Sequence, residues 1–128
     1  MSNSRLVVMV EDSATQAKAI AMYLNQLGLE VVICGDGPEG IAAINQYQPV
    51  AAILDVNLPT MNGFQIARHI KRNPATCDIP VIMLTKSDEN KDMMRGYSNG
   101  ADHYIGKGPD TAKELWKTLC ALGIVDWM

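Results

Sequence analysis

Several features are scarce in this chain, and each scarcity excludes something. Lysine and arginine number 11 against 14 aspartates and glutamates, for a formal net charge of -3. The basic residues are spread thinly from Arg5 to Lys117. Sequence-independent nucleic-acid binding needs a basic surface that displaces counterions, so this balance argues against DNA or RNA as a partner. Cysteines are only three, Cys34, Cys77 and Cys120, an odd set without CxxC spacing. They read as reduced packing residues rather than disulfide partners or zinc ligands. Apolar runs extend to only about five residues, far short of the roughly 20 a membrane helix needs. The start, Met1 to Arg5, is too short and polar for a signal peptide. No linker, repeat or low-complexity tract interrupts the chain. A cytoplasmic protein is expected, with residues 1–128 forming a single domain that ends in a short apolar tail at 124–128.

Short apolar runs alternate with longer stretches at helical spacing. The runs are Leu6–Val10, Val31–Cys34, Val50–Leu54, Val81–Leu84 and, more weakly, Tyr104–Ile105. They are rich in valine and isoleucine and lack polar alternation, which suits strands covered on both faces. Between them, Ala17, Ile20, Ala21, Leu24 and Leu27 mark a helical stripe opened by a Ser13-x-x-Gln16 capping box and stopped by Gly28. A second helix starts near Pro38 and turns Ile41 and Ile44 inward. A third carries Phe64, Ala67 and Ile70 and ends before Pro74. A fourth spans about 88–98, with Met93, Met94 and Tyr97 as core and rim residues. The last carries Ala112, Leu115, Trp116, Leu119 and Leu122 behind a Thr111-x-x-Glu114 capping box.

Five strands alternating with five helices predict an α/β fold: a doubly wound, five-stranded parallel sheet with helices on both faces. The order 2-1-3-4-5 fits better than 3-2-1-4-5-6, which needs a sixth strand. In such sheets ligands bind beyond the carboxyl ends of the strands. There the chain places Glu11-Asp12 after the first strand, Asp55 after the third, Thr85 after the fourth and Lys107 after the fifth. Singly, each has an ordinary reading: Asp12 as an N-cap, Asp55 as a turn residue, Thr85 as a strand end, Lys107 as a solvated charge, Tyr104 as packing. Those readings do not explain why all fall on one edge. Clustered carboxylates repel unless a cation neutralises them, and Mg²⁺ suits a few carboxylates, waters and a phosphate oxygen. Given a phosphoryl donor, one carboxylate can act as nucleophile, with Mg²⁺ and Lys107 stabilising the phosphoryl oxygens and Thr85 donating a hydrogen bond.

The pieces Glu11-Asp12-Ser13, Leu54-Asp55-Val56-Asn57-Leu58-Pro59, Met61-Asn62-Gly63, Leu84-Thr85 and Gly100-Ala101-Asp102, with Tyr104 and Lys107, stand in order over nearly the whole chain. In this the sequence resembles the receiver domains of two-component response regulators, whose sheet is of the flavodoxin-like 2-1-3-4-5 type. The resemblance implies that Asp55 is the phosphoacceptor, and that Mg²⁺ is held by Asp12, Asp55, the backbone carbonyl of Asn57 and, through water, Glu11. It implies that Thr85 and Lys107 stabilise the phosphoryl group, that Thr85 and Tyr104 form a switch pair, and that Pro59 and Gly63 shape the loop after Asp55. A sensor histidine kinase or a histidine phosphotransfer protein would be the donor. A downstream protein would bind the face made by the expected fourth helix, the fifth strand and the last helix, near Trp116. No nucleic acid or membrane partner is implied. The protein would catalyse only its own phosphorylation and dephosphorylation, with Asn57 and Ser87 tuning water access. The chain leaves no room for an output domain, so output would be by protein contact. The tail from Ile124 would pack back on the domain or serve a homodimer or partner interface.

Two departures from the family pattern keep a second reading open, a receiver-fold interaction module that is not phosphorylated. Lys107 is followed by Gly108 where receivers usually have proline. Without proline a cis bond costs about 2.5–4 kcal/mol, which leaves the isomer and the aim of Lys107 open. Lys86 replaces the small residue usual after the threonine. A third reading, dinucleotide binding, follows from Gly35-x-Gly37-x-x-Gly40, a GxGxxG between a strand and a helix with Asp55 some 20 residues on. It follows the second strand rather than the first, and it leaves Glu11, Asp12 and Lys107 unexplained. Those glycines instead suggest a turn needing φ > 0. His69 and His103 have no partner spacing that gives them a role.

Overall fold

The computed structural model describes residues 3–86 and 100–125. The expected helix over 88–98, with Met93, Met94 and Tyr97, lies outside these residues, as do Ser87 and tail residues 126–128. In chain order the elements are β1 (Asn3–Val10), α1 (Ala14–Gln26), β2 (Glu30–Cys34), α2 (Gly37–Tyr47), β3 (Pro49–Asp55), α3 (Gly63–Arg72), β4 (Val81–Thr85), β5 (His103–Gly106) and α4 (Thr111–Ala121). The strands form one parallel sheet in the order β2-β1-β3-β4-β5, as expected.

The unbroken apolar runs are explained by burial on both faces. Along β1, Val8 and Val10 face α2 and α3, whereas Val7 and Met9 face α1 and α4. The same alternation splits Ala52 and Leu54 from Ile53, and Val81 and Met83 from Ile82 and Leu84. Each fully buried side chain of this size contributes roughly 1.5–3 kcal/mol relative to exposure. The chain steps from β1 outward to β2, then returns past β1 to β3. Because parallel crossovers are right-handed, that reversal puts α1 on one face and α2 and α3 on the other, and opens a crevice between the ends of β1 and β3.

The helix ends differ from expectation in three places. Ser13 caps α1 by accepting the Gln16 N–H at 3.3 Å, but the return half of the capping box is absent. The Ser13 N–H donates instead to Glu11 Oε1 at 3.1 Å. The capping box expected at Thr111 is also absent: Asp110 is the N-cap, and the Thr111 hydroxyl serves the preceding loop. A full capping box does occur at α3, where Asn62 and Gln65 exchange side-chain-to-backbone bonds. At the ends of α1 and α4, Gly28 (φ 87°) and Gly123 (φ 76°) are the left-handed stops. Leu29 N–H bonds back to Leu24 and Ile124 N–H to Leu119, the six-to-one bond that closes a helix end. The second of these folds Ile124 and Val125 onto the α1–α4 side of the core.

The GxGxxG segment is also corrected. None of Gly35, Gly37 and Gly40 has positive φ. Asp36 caps α2, accepting the Glu39 N–H at 2.9 Å. Gly37 and Gly40 are buried where α2 lies against the rest of the fold: a Cβ on Gly37 would overlap Met61, and one on Gly40 would overlap Val10. The glycines serve close packing against the end of β1 and the loop after β3, and the α2 N-terminus that a pyrophosphate would need is taken by the Asp36 carboxylate. The dinucleotide reading falls with that observation.

Candidate functional site

Side-chain alternation builds the site. Glu11 follows Met9 by two residues, Asp55 follows Ile53 and Lys107 follows Ile105, and all three leading residues face α1 and α4. The register pairs Val10 with Leu54, so the next residues, Glu11 and Asp55, lie side by side. Gly63 allows the loop after β3 to fold tightly over this edge: its N–H bonds to Val56 O at 3.1 Å, and a Cβ there would collide with the Asp55 carbonyl.

Glu11, Asp12 and Asp55 each offer a carboxylate oxygen, and the oxygens all lie within 4.8 Å of one another. Glu11 and Asp55 are 3% and 4% exposed, whereas Asp12 is exposed. The ordinary reading of Asp12 as an N-cap does not hold, since Ser13 takes that position. Lys107 Nζ reaches Glu11 Oε2 at 2.8 Å, Gln16 Oε1 at 3.0 Å and Asp55 Oδ2 at 3.1 Å. Among the described residues no peptide bond is cis. Lys107 therefore points at Asp55 through a trans Lys107–Gly108 bond, and the missing proline has not cost it that aim. Burial raises the Glu11 carboxyl above the ordinary glutamate value, opposed by the bonds from Lys107 and the Ser13 N–H and reinforced by the charge of Asp55. Burial works to lower the Lys107 ammonium, but its bonds to Glu11 and Asp55 outweigh this and hold it above the ordinary lysine value.

The remaining expected residues lie around this centre. The Asn57 N–H donates to Asp55 Oδ1 at 3.2 Å. Thr85, fully buried, ends β4 one residue beyond Leu84, the register partner of Asp55. Tyr104 is half-buried against the α2–α3 side of the core, opposite the side from which Lys107 reaches in. Lys86 is exposed and, with Gln16, Lys107, Gly108 and Thr111, lines a cavity of about 390 Å³ beside the acidic cluster. His69 is exposed and His103 begins β5, neither near the cluster.

Two site residues were missed by the sequence reading. The sequence pattern assigns Gln16 and Thr111 each to a helix cap. Gln16 instead accepts from Lys107. The Thr111 hydroxyl accepts the Gly108 N–H at 2.7 Å and sits 3.1 Å from the Gly106 carbonyl, clamping the loop on both sides of Lys107. No local signal marks Gln16, whose partner is 91 positions away.

The donor set fits a hard divalent cation. Three carboxylates, two of them buried, face a single ammonium within the described cluster, which leaves it short of positive charge. All the candidate ligands are oxygens, the set that Mg²⁺ prefers. No helix among the described residues is long and apolar enough to cross a membrane.

Comparison with known proteins agrees with this architecture. The chain is 38% identical over 112 residues to the phosphate regulon transcriptional regulatory protein PhoB of Escherichia coli, a match covering 88% of this chain and 48% of PhoB. It thus spans about half the length of the curated relatives it matches. A putative response regulator from Chloroflexus aurantiacus superposes with a TM-score of 0.87 at 28% identity, over 92% of this chain and 96% of that one. The receiver domain of the Pseudomonas aeruginosa sensor histidine kinase PA1611, solved with magnesium coordinated in its active-site cleft, superposes with a TM-score of 0.85 at 25% identity, covering 93% and 98%. The sequence model of the response regulator receiver domain matches residues 7–119, from within β1 to within α4, the acidic cluster included. On that match and on the fold that carries it, the chain belongs to the receiver domain family of two-component response regulators.

Proposed function

We propose that this receiver is a phosphorylation-dependent switch whose phosphoacceptor is Asp55. The observation that carries the reading is the meeting of the Glu11, Asp12 and Asp55 carboxylates within 4.8 Å, with Lys107 3.1 Å from Asp55. One oxygen of Asp55 attacks the phosphorus of a phosphohistidine on a histidine kinase or phosphotransfer protein, or more slowly that of a small acyl phosphate. The bond from phosphorus to the leaving imidazole or carboxylate breaks as the aspartyl phosphate forms. Lys107 stabilises the negative charge on the transferring oxygens, and Thr85 donates a hydrogen bond to the product. Glu11, Asp12, Asp55 and the Asn57 carbonyl would hold Mg²⁺, which supplies further positive charge to those oxygens.

Phosphorylation then biases a two-state equilibrium through Thr85 and Tyr104, changing the surface beside β5 and α4 that a downstream protein reads. The protein turns over no substrate beyond its own phosphoryl group and acts in the cytoplasm. Acetyl phosphate with Mg²⁺ is expected to raise the intact mass by one phosphoryl group in the wild type and not in Asp55→Asn. Equal labelling of Asp55→Asn would make Asp55 the wrong residue. No labelling of either would favour an interaction module that is never phosphorylated.

A further inference from the structure

The loop that presents Lys107 is made of the most permissive backbone available, glycine on either side of the lysine. The lysine stem itself has four rotatable bonds whose rotamer freedom is lost when the ammonium is fixed. Nonetheless the ammonium is held at three points, and an ammonium has three protons to give. Two acceptors, Glu11 and Asp55, belong to the acidic cluster. The third, Gln16 Oε1 at 3.0 Å, does not. Gln16 is free for this because of a second substitution of partners: Glu11 Oε1 takes the Ser13 N–H that a capping box would have assigned to the Gln16 side chain.

We propose that Gln16 is a positioning residue for the phosphoryl-transfer reaction, keeping the Lys107 ammonium aimed at Asp55. This rests on the receiver reading given above. As Glu11 and Asp55 turn to a cation and a phosphoryl group, their hold on Lys107 weakens. Gln16 is neutral and sits on the exposed first turn of α1, so its hold persists. Thr111 supports the same aim from the backbone side, by fixing Gly108 and by lying against the Gly106 carbonyl.

The test compares wild type, Gln16→Met, which keeps the side-chain length without the acceptor, and Gln16→Glu, which restores an acceptor. The first readout needs neither metal nor phosphoryl donor: the rate at which acetic anhydride labels Lys107 in metal-free protein, measured by mass spectrometry relative to exposed Lys86. Gln16→Met is expected to speed Lys107 labelling about fivefold, and Gln16→Glu to keep it near the wild-type rate. The second readout is phosphoryl uptake from acetyl phosphate at saturating Mg²⁺, expected to slow about fivefold in Gln16→Met. A lowered melting temperature with both rates unchanged would reduce Gln16 to a helix-end residue and overturn the proposal. Faster labelling in Gln16→Met, with no variant taking up phosphoryl, would uphold the positioning of Lys107 and sink the phosphoacceptor reading instead.

Discussion

At Glu11, burial and the neighbouring Asp55 favour the protonated carboxyl, and Lys107 together with the Ser13 N–H does not fully offset them. The folded, metal-free protein therefore binds more protons than the unfolded chain as pH rises above the ordinary glutamate range. Stability contributed by this residue is fully present below that range and is lost as pH rises through the raised value. Other carboxylates titrate nearby, so the measurable quantity is a difference. Urea unfolding of wild type and Glu11→Gln, compared between about pH 4 and about pH 7, is expected to show the wild type losing ground as pH rises. A difference that stays flat, or moves in favour of the wild type, would mean that the surroundings of Glu11 do not raise its carboxyl above the ordinary glutamate value. Cys34 shows the same physics without a function: burial, aided by Glu39 and Asp36, pushes its thiol up to about 11, which makes it a packing residue with little thiolate near neutral pH.

At the scale of elements, the strands were legible because burial on both faces leaves continuous apolar runs, and the expected strands were met to within a few residues at their ends. The weak Tyr104–Ile105 run proved to be the core of β5, an edge strand with only Ile105 buried. Helix ends were less legible. Ser13, Thr111 and their partners three residues on have the right types for capping boxes, but a cap is a competition, and the competitors Glu11 and the Gly106–Gly108 loop come from outside the helix. Gly37 and Gly40 failed for a related reason: a glycine needed for φ > 0 and one needed for close approach are identical in sequence. The close-approach reading has a direct consequence. Gly40→Ala gains about 1 kcal/mol of helix propensity but drives a methyl into Val10, and overpacking of this kind costs roughly 1–3 kcal/mol. A net loss of up to about 2 kcal/mol in denaturant unfolding is expected, whereas Gly108→Ala, with open space at its Cβ and no positive φ, should stay within about 0.5 kcal/mol of wild type. A Gly40→Ala variant more stable than the parent by the full propensity gain of about 1 kcal/mol would mean that α2 is free to shift away from β1.

For the whole molecule, the site is where the sheet order reverses. Glu11 and Asp12 follow β1, Asp55 ends β3 and Lys107 follows β5, so the cluster joins segments 96 residues apart in sequence. The residue types and their strand-end positions were visible in the sequence. Their convergence needed the 2-1-3-4-5 order, and the Lys107–Gln16 contact needed the folded structure. A cation bound there contacts the folded chain in a way the unfolded chain cannot reproduce, so binding and global stability are linked. At a Mg²⁺ concentration tenfold above the dissociation constant the folded state gains about 1.4 kcal/mol. For a domain of this length that is an upward shift of about 4–7 °C in melting temperature. The shift is expected in wild type at constant ionic strength and should fall below about 1 °C in Asp12→Asn, whose side chain is exposed and caps no helix, so its loss does not by itself weaken the fold. If potassium at matched ionic strength stabilises as much as Mg²⁺, or if Asp12→Asn shifts as far as wild type, the gain is general screening of a chain with net charge -3 and the carboxylate cluster is not a cation site.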